Sequence, residues 1–365
     1  MMLLQAYLRS GGTLEGLTNE LAIKVTRSER LPALYLFKYD QINSDFTKAL
    51  VRECRGVILD SENGWNVVSR PFDKFFNLGE QLAAPIDWST ARIQEKLDGS
   101  LMTMYYYQDD WHVSSSGHPD ASGNVNAWPM SFGTLFWDTW GANKLFNRAK
   151  GLHPAFNYMF ELTSPFNMVV VPHVESKLTL IGVRHVESGR EFSPLEYKDE
   201  FPLASTYPMS SFQDIVSSFD KLDGQRFEGY VVVDGAYNRV KVKHPQYVAL
   251  HHLKDSVGAS PKRLVEIIRK NESEEFLTYF PEFKERFLAY KGKYLDLVNR
   301  MEKDYANVND MYGTVWMDRK GFAAIAKTGA NPAYLFQRLD GRTTSAKQFL
   351  AEMQIDQLMT YLEKT

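Results

Sequence analysis

The chain has 365 residues, of which 44% are hydrophobic and 24% charged, and its net charge is −3. This composition is ordinary for a globular protein of about two domains, and it excludes a chain dominated by disorder. The small negative charge argues against a global basic field for coating duplex nucleic acid, although a local basic groove remains compatible with it. The single cysteine, Cys54, excludes an internal disulfide and a zinc site built on several cysteines, which suits a reducing cytoplasm.

No targeting or membrane segment is expected. The first nine residues lack the basic start and sustained apolar core of a signal peptide. The longest aliphatic run, Met168 to Val171, is far too short to cross a bilayer. We therefore expect no membrane partner.

The first two thirds of the chain carry the pattern of short strands. Between Ala33 and Val248, β-branched and aromatic runs alternate with Gly, Asp, Asn and Pro. The clearest predicted strands are Arg55 to Leu59, Leu101 to Tyr107, Met168 to Val171, Lys177 to Val183 and Tyr230 to Val233. Asp234-Gly235 predicts a hairpin turn, and the apolar spacing from Met130 to Gly151 predicts a helix.

After His251 the apolar period becomes helical. Ser260-Pro261 is typical of a helix start, and Leu264, Ile267 and Ile268 form one apolar face after it. A longer helix is predicted from Phe283 to Met301, and a last one from Leu350 to Leu362. The sequence thus predicts an α+β fold class, with antiparallel sheets and flanking helices in residues 1–250 and an all-α domain in residues 251–365.

The most informative motif is Lys96-Leu97-Asp98-Gly99-Ser100, in which a lysine at the end of a predicted strand precedes a tight turn. Asp-Gly is also a common hairpin turn, so the motif alone proves nothing. Two near-copies, at residues 221–224 and 338–341, show how readily the pattern arises by chance.

Five further segments accompany Lys96 and not its copies. They place a cation or a carboxylate beside apolar, strand-like residues. In chain order their charged members are Arg55, Lys74, Glu161, Glu228 and the pair Lys241 and Lys243. An acid after the nucleophilic lysine and a lysine pair after the last acid is the layout of covalent nucleotidyltransferases.

With these motifs in order, the chain from about Leu31 to about Ser256 resembles the RNA ligase 1 family of T-even-like bacteriophages. The resemblance implies a nucleotidyltransferase domain and ATP-dependent sealing of RNA ends. Lys96 would carry AMP, the AMP would pass to an RNA 5′-phosphate, and a 3′-hydroxyl would then displace it. It also implies Mg²⁺ or Mn²⁺ as the metal and single-stranded RNA or nicked transfer RNA as the partner, for a monomer in the cytoplasm of a phage-infected bacterium.

The resemblance assigns roles residue by residue. Arg55 and Lys74 would touch the phosphates, and Lys241 and Lys243 would hold the triphosphate near the α-phosphorus. Glu161 would bind the ribose or a metal-bound water, and Glu228 would orient a hydrated metal. The remaining correspondences are Tyr247, a tyrosine the family needs, Phe37, an aromatic near the nucleotide, and Glu274, an acid in the helical domain linked to metal.

Elementary chemistry supports the cation cluster independently. A lysine ammonium, with an ordinary pKa near ~10.4, has no lone pair with which to attack phosphorus. Neighbouring cations favour the neutral amine and also neutralise a triphosphate. Cys54, in a strand-like run, is better explained as a small buried residue than as a catalytic thiol.

Several alternatives stay open at this point. Glu161 could be an ordinary strand-edge carboxylate, and Lys241 and Lys243 could be a solvent-facing pair. The chain could also be another covalent nucleotidyltransferase, of the DNA ligase or capping type, or a non-catalytic nucleotide- or RNA-binding relative. One departure from the family stands out: residues 113–118 lack the basic residue expected before a glycine, so that His118, hydroxyls or a residue from elsewhere must replace it.

Overall fold

The computed structural model describes residues 1–145, 151–253, 260–314, 319–327 and 331–363. The chain divides into two compact units. The first comprises Met1–Asp40 and Ser44–His251, and the second comprises Gln41–Asn43 and His252–Thr365.

The first unit contains three antiparallel sheets. Its strands are β1 Ile23–Arg27, β2 Leu34–Tyr39, β3 Arg55–Asp60, β4 Asn66–Ser69, β5 Arg92–Lys96, β6 Ser100–Tyr107, β7 Asp110–Ser115, β8 Phe156–Thr163, β9 Lys177–His185, β10 Glu191–Phe192, β11 Thr206–Tyr207, β12 Gly229–Val233 and β13 Arg239–Lys243. The spatial orders are β1-β2-β3-β4, β10-β9-β8-β6-β7 and β11-β5-β12-β13.

Short helices flank these sheets. They are α1 Leu3–Arg9, α2 Leu14–Leu21, α3 Ala49–Glu53, α4 Phe132–Ala142, α5 Phe212–Phe219 and α6 Pro245–Leu253, with a 3-10 turn at Pro194–Tyr197. The N-cap residues of α2, α4 and α5 are Thr13, Ser131 and Ser211. The hydroxyl of each accepts a hydrogen bond from a backbone N–H of the first turn. The alternating strands bury one face against these helices. The aromatic centre of the largest core in this unit is Phe136, Trp140 and Phe160.

The second unit is helical throughout its described residues. The helices are α7 Pro261–Arg269, α8 Ser273–Tyr279, α9 Lys284–Thr314, α10 Arg319–Ala326, α11 Pro332–Leu339, α12 Ala346–Glu352 and α13 Ile355–Glu363, with a 3-10 turn at Pro281–Phe283. α7, α10, α11, α12 and α13 all pack against the long helix α9. The unit therefore has its own apolar core, centred on residues such as Leu264, Phe287 and Leu350.

Most predicted elements are confirmed, including the strands around Arg55, Leu101, Lys177 and Tyr230 and the hairpin at Asp234-Gly235. The helix start at Ser260-Pro261 is confirmed too, since the Ser260 hydroxyl accepts the Arg263 N–H. The predicted α+β class with antiparallel sheets followed by helices is the observed one.

Three predicted elements differ from the observed ones. The helix expected from Met130 to Gly151 is described only as α4, and residues 146–150 of the prediction lie outside the described part. The last predicted helix is two helices, α12 and α13, because Met353 adopts an extended conformation between them. Met168 to Val171 is wrong as a strand: the backbone bends there, and two of its N–H groups donate to a side chain of another segment, Asp98.

None of the helices in the described ranges is both long enough and apolar enough to span a membrane.

Candidate active site

Lys96 is the last residue of β5, and its ammonium lies against a buried carboxylate. Lys96 Nζ and Glu228 Oε1 are 2.6 Å apart, with 22% of the lysine side chain and 5% of the glutamate side chain exposed. Lys96 stands opposite Gly229 on β12, and Gly229 stands opposite Lys243 on β13. The sheet register therefore brings the two predicted lysines to one end of three adjacent strands.

Gly229 is required at this crossing. Its φ of +146° is a conformation that L side chains rarely adopt, and a Cβ on it would lie 2.3 Å from the carbonyl oxygen of Val242. Any other residue would push β12 and β13 apart. Since Glu228 immediately precedes Gly229, the glycine also fixes where the carboxylate meets Lys96.

Gly99 brings the turn after Lys96 against a second sheet. A Cβ at Gly99 would lie 2.5 Å from the carbonyl oxygen of Leu162 on β8. The residue before Leu162 is Glu161, which pairs with Leu101 in the register of β8 and β6. The Asp-Gly turn thus places Glu161 beside Lys96, and both side chains line one cavity.

This cavity, hereafter the lysine cavity, has a volume of about 260 Å³. It is lined by apolar side chains and by several charges. The lining includes Arg55, Phe72, Phe75, Lys96, Leu101, Glu161, Ile181, Val231, Arg239 and Lys241. Cations beside apolar and aromatic side chains suit a ligand with one flat apolar part and one anionic part, such as a nucleotide.

The cations of the cavity are held over aromatic rings. The Arg55 guanidinium carbon is 5.2 Å from the centre of the Phe75 ring, and Lys241 Nζ is 5.4 Å from it. Arg239 lies 4.2 Å from the centre of Phe72 and forms an ion pair with Glu191 at 2.7 Å. The ring contacts stabilise the positive charges without neutralising them, which leaves Arg55 available to an anion.

Asp98, the aspartate of the Lys96 motif, is buried and accepts hydrogen bonds from two distant segments. One carboxylate oxygen accepts the N–H groups of Val170 and Val171 at 2.8 and 2.6 Å, and the other accepts the Tyr247 hydroxyl at 3.0 Å. These bonds fix the turn after Lys96 from two distant segments. Tyr247 is therefore hydrogen-bonded to the aspartate of the Lys96 motif.

Both carboxylates near Lys96 resist ionisation. Burial raises the pKa of Glu161 to about 7, with Lys96 opposing the rise and Glu228 adding to it. Burial also raises the pKa of Glu228, against the opposing positive charges of Lys96 and Lys243. Two such carboxylates beside one ammonium attract a further cation once both are ionised.

Lys96 also lines a second cavity, of about 460 Å³, together with Glu228, His173, Lys177 and Arg226. Lys96 therefore borders two cavities. A larger cavity of about 590 Å³, lined by residues such as Arg9, Asp60 and Tyr107, contains none of the predicted site residues.

The structure brings together most of the predicted site residues. Lys96, Arg55, Glu161 and Lys241 line the lysine cavity, and Glu228 touches Lys96. Lys74 does not line it; its ammonium lies over the rings of Tyr39, Phe46 and Phe76. Lys243 Nζ is 5.9 Å from the centre of the Tyr247 ring.

The two remaining predicted residues are Phe37 and Glu274. Phe37 is fully buried in the core of the first sheet, against Trp65, and offers no ring face to a ligand. Glu274 belongs to the first turn of α8, in the second unit. In the described ranges there is no group of three or more His, Cys, Asp or Glu side chains that could hold a metal.

Sequence reasoning missed three residues that line the lysine cavity: Phe72, Phe75 and Arg239. A signal for Arg239 existed, because it alternates with Val240 and Val242 and so shares a strand face with Lys241 and Lys243. The two phenylalanines flank Lys74 in sequence, but only the fold shows which aromatic residue reaches the cavity.

The near-copies of the lysine motif occupy different structural settings. Lys221 follows α5 in an exposed turn, and Arg338 lies in the last turn of α11. Neither stands at the end of a strand beside a buried carboxylate, as Lys96 does. Cys54 is buried, and burial raises the pKa of its thiol, as expected for a core residue and not for a nucleophile.

The raised pKa of Glu161 predicts a pH dependence of stability. The folded chain binds the Glu161 proton more tightly than the unfolded chain, whose glutamate has a pKa near 4.5. The free energy of unfolding therefore falls as pH rises from about 4.5 to about 7. Glu161→Gln cannot ionise, so its unfolding temperature in ligand-free buffer should decline less between about pH 5 and about pH 8 than that of the wild type. The exposed Glu196→Gln is the control, and a decline identical to wild type in Glu161→Gln would contradict the prediction.

Comparison with known proteins identifies the family of the chain. The family model described as RNA ligase matches residues 53–247, which include Lys96 and all of the lysine cavity. An RNA ligase of Rhodothermus phage RM378 is 28% identical over 397 residues, covering 88% of this chain and 90% of that protein. RNA ligase 1 of bacteriophage TS2126 is 27% identical over 236 residues, covering 60% of this chain and 56% of that protein.

Among solved structures, an archaeal ATP-dependent RNA ligase matches with a TM-score of 0.46 and 12% identity, covering 80% of this chain and 79% of that one. The family expected from the motifs is confirmed by the model that matches more than half of the chain. The chain belongs to the RNA ligase family.

Proposed function

We propose that the protein is an ATP-dependent RNA ligase that joins 5′-phosphate and 3′-hydroxyl RNA ends through AMP bound covalently to Lys96. The observation that carries the proposal is the position of the Lys96 amine, at a cavity that also presents Arg55, Lys241 and Glu161. The mixture of apolar side chains and cations around the cavity suits a nucleotide. The amine of Lys96, at the end of a strand, is the only nucleophile that transfer of AMP to the protein needs.

In the first step the Lys96 amine attacks the α-phosphorus of ATP. A nitrogen–phosphorus bond forms, the bond to the bridging oxygen breaks, and pyrophosphate leaves. The ammonium must first lose a proton, and Glu228 Oε1, at 2.6 Å, can accept it. Arg55 and Lys241 stabilise negative charge on the phosphates as it develops.

Glu161 and Glu228 fit one part of the ligand shell of a divalent cation. They supply two hard oxygen ligands that carry excess negative charge once ionised, and they leave the rest of a Mg²⁺ or Mn²⁺ shell to water and phosphate oxygens. Bound there, such an ion would supply neutralisation of phosphate charge. Glu274, in the second unit, remains a candidate only through the family resemblance.

In the later steps the AMP on Lys96 passes to the 5′-phosphate of RNA, and the 3′-hydroxyl of a second end displaces it. Both reactions form and break a bond to phosphorus, first at the phosphorus of AMP and then at that of the RNA 5′-phosphate. The same cations stabilise the negative charge in each, because both phosphates are anionic. By the same proposal the natural substrate is single-stranded RNA or nicked transfer RNA in the cytoplasm of an infected bacterium, and the protein acts as a monomer. Phage relatives named RNA ligase support RNA as the substrate.

Incubation of the pure protein with ATP and Mg²⁺ tests the proposal. The expected product is a protein heavier by one AMP, with a bond stable to alkali and labile to acid, as a phosphoramidate is. Addition of a 5′-phosphorylated RNA should then release the AMP from the protein onto RNA. A protein that gains no mass under these conditions would contradict the proposal, as would AMP on an alkali-labile ester.

The second unit, by this proposal, selects the RNA. The lysine cavity lies entirely in the first unit, and each unit has its own apolar core. Residues beyond 250 carry a net charge of only +2, so recognition of RNA shape suits them better than general electrostatic capture.

Removal of residues 254–365 should therefore preserve self-adenylation and abolish the preference for a nicked anticodon loop over an unstructured oligomer of equal length. Rates on both RNAs, compared between the full and the shortened chain, measure this effect. Equal losses on both substrates would contradict the division of labour, as would a shortened protein that is folded but forms no AMP adduct.

A further inference from the structure

The segment after β7 lacks a basic residue, and the structure places a lysine of another sheet beside it. Lys38, on β2, lies with its Nζ 3.3 Å from the hydroxyl of Ser116. Ser116 in turn packs on the backbone of Gly56, where a Cβ would lie 3.5 Å from Ser116 Cα. Lys38 therefore reaches the position where the sequence has no cation of its own.

Lys38 is adjacent to a cation of the lysine cavity. It pairs with Arg55 across β2 and β3, next to a register shift between Phe37 and Lys38. Arg55 lines the cavity, and one of its terminal nitrogens, Nη1, is buried with no hydrogen-bond partner in the described residues. Among the described residues, neither Lys38 nor Arg55 forms an ion pair with a carboxylate.

Tyr39 adds a hydroxyl to this group. Its ring lies 4.7 Å from Lys74 Nζ. Burial raises the pKa of the Tyr39 phenol, but the positive charges of Arg55, Lys74 and Lys38 outweigh it, so that the pKa lies below its ordinary value. The charges of three cations thus act on one tyrosine side chain.

Lys38 and Arg55 are both half-buried and lie opposite each other on β2 and β3, so their positive charges repel each other. Burial lowers the pKa of Lys38, and the charges of Lys24 and Arg55 act in the same direction while Tyr39 and Asp40 oppose them. A bound polyanion would relieve this repulsion and satisfy the buried nitrogen of Arg55. Three converging cations match the charge of a triphosphate better than that of a single phosphate group.

We propose that Lys38, held by Ser116, is a phosphate-binding residue that acts with Arg55 on the triphosphate of ATP and replaces the cation missing after β7. The inference rests on the proposed function for the identity of its ligand. It assigns phosphate binding to a lysine of β2 that the sequence motifs do not include.

A direct test uses inorganic tripolyphosphate as the probe, without metal or RNA, on the full chain. Tripolyphosphate should raise the unfolding temperature of the wild type, and Lys38→Ala should lose most of that rise. In adenylation assays the same variant should show a KM for ATP about 10- to 100-fold higher, which corresponds to one lost charge-assisted hydrogen bond.

Lys24→Ala is the matched control. Lys24 stands directly opposite Lys38 on β1, but its ammonium is exposed and pairs with Asp40 at 2.7 Å. It should keep both the tripolyphosphate shift and the KM of the wild type. The double variant Lys38→Ala/Ser116→Lys moves the positive charge onto the segment after β7 and should recover the lower KM.

The outcomes separate this inference from the proposed function. If wild type forms the AMP adduct and Lys38→Ala matches it in both KM and tripolyphosphate shift, Lys38 has no such role although the ligase proposal stands. A loss confined to AMP transfer onto 5′-phosphorylated RNA would assign Lys38 to the RNA phosphate and overturn its assignment to ATP. A wild type that shows the Lys38-dependent tripolyphosphate shift but no AMP adduct would refute the ligase proposal and retain the anion site.

Discussion

Lys96→Ala should abolish the covalent attachment of AMP, whereas Lys221→Ala should leave it intact. Both lysines precede Leu-Asp-Gly in the sequence, yet only Lys96 ends a strand beside a buried glutamate and opens onto the cavity that holds Arg55 and Lys241. The alanine methyl cannot form a bond to phosphorus, so the adduct should fall by at least roughly 1000-fold.

Intact mass after incubation with ATP measures the adduct, and mapping of the AMP-bearing peptide identifies its lysine. Lys221→Ala serves as a control with the same chemical change at an exposed turn. AMP found on Lys221 would show that the register assigned to all the motifs is wrong. Lys96→Arg is a useful companion, because it keeps a positive charge beside Glu228 and should still form no adduct.

The local part of the site was predictable from the sequence. The strand-like residues before Lys96, the Asp-Gly turn after it and the alternation of Lys241 and Lys243 with valines each have a short-range physical cause. The sheet register agrees with these expectations, since Lys96 ends β5 and both Lys241 and Lys243 lie on β13. Charged side chains at strand ends are therefore well determined by local pattern.

Long-range contacts were not predictable. Met168 to Val171 has the composition of a strand, but the carboxylate of Asp98, more than 70 residues earlier, takes the N–H groups of Val170 and Val171. The hydrogen bonds to the buried carboxylate of Asp98 therefore outweigh the strand propensity of these residues.

The choice among aromatic residues has the same origin. Phe37 and Phe75 both lie close to motif cations in the sequence, and only the packing of the first sheet shows that Phe37 is interior while Phe75 lines the cavity. The contact between Lys38 and Ser116 likewise joins two sheets through residues 78 positions apart. Sequence alone identifies the missing cation but not the strand that supplies one.

The carboxylates and the lysine pair should fail at different steps. Glu228→Ala leaves the Lys96 ammonium without the carboxylate at 2.6 Å that can accept its proton. We expect Glu228→Ala and Glu161→Ala to fold and yet to lose about 100- to 1000-fold in metal-dependent ligation, because both remove negative charge that the phosphoryl transfers use. Unfolding temperatures without ligand check the folding, and Glu228→Gln distinguishes loss of charge from loss of packing.

Lys241→Ala and Lys243→Ala should instead be impaired mainly in forming the AMP adduct, since positive charge near the α-phosphorus matters most while pyrophosphate leaves. RNA that already carries AMP on its 5′-phosphate bypasses that step. It should restore sealing by the two lysine variants to within about 10-fold of wild type and should not rescue Glu228→Ala, whose carboxylate is needed beside the phosphates throughout. If pre-adenylated RNA rescued neither lysine variant, the two ammonium groups would have to act in the final displacement as well. If it rescued Glu228→Ala fully, the role of Glu228 would be confined to accepting the Lys96 proton, because that proton is the only one the bypassed step removes from the protein.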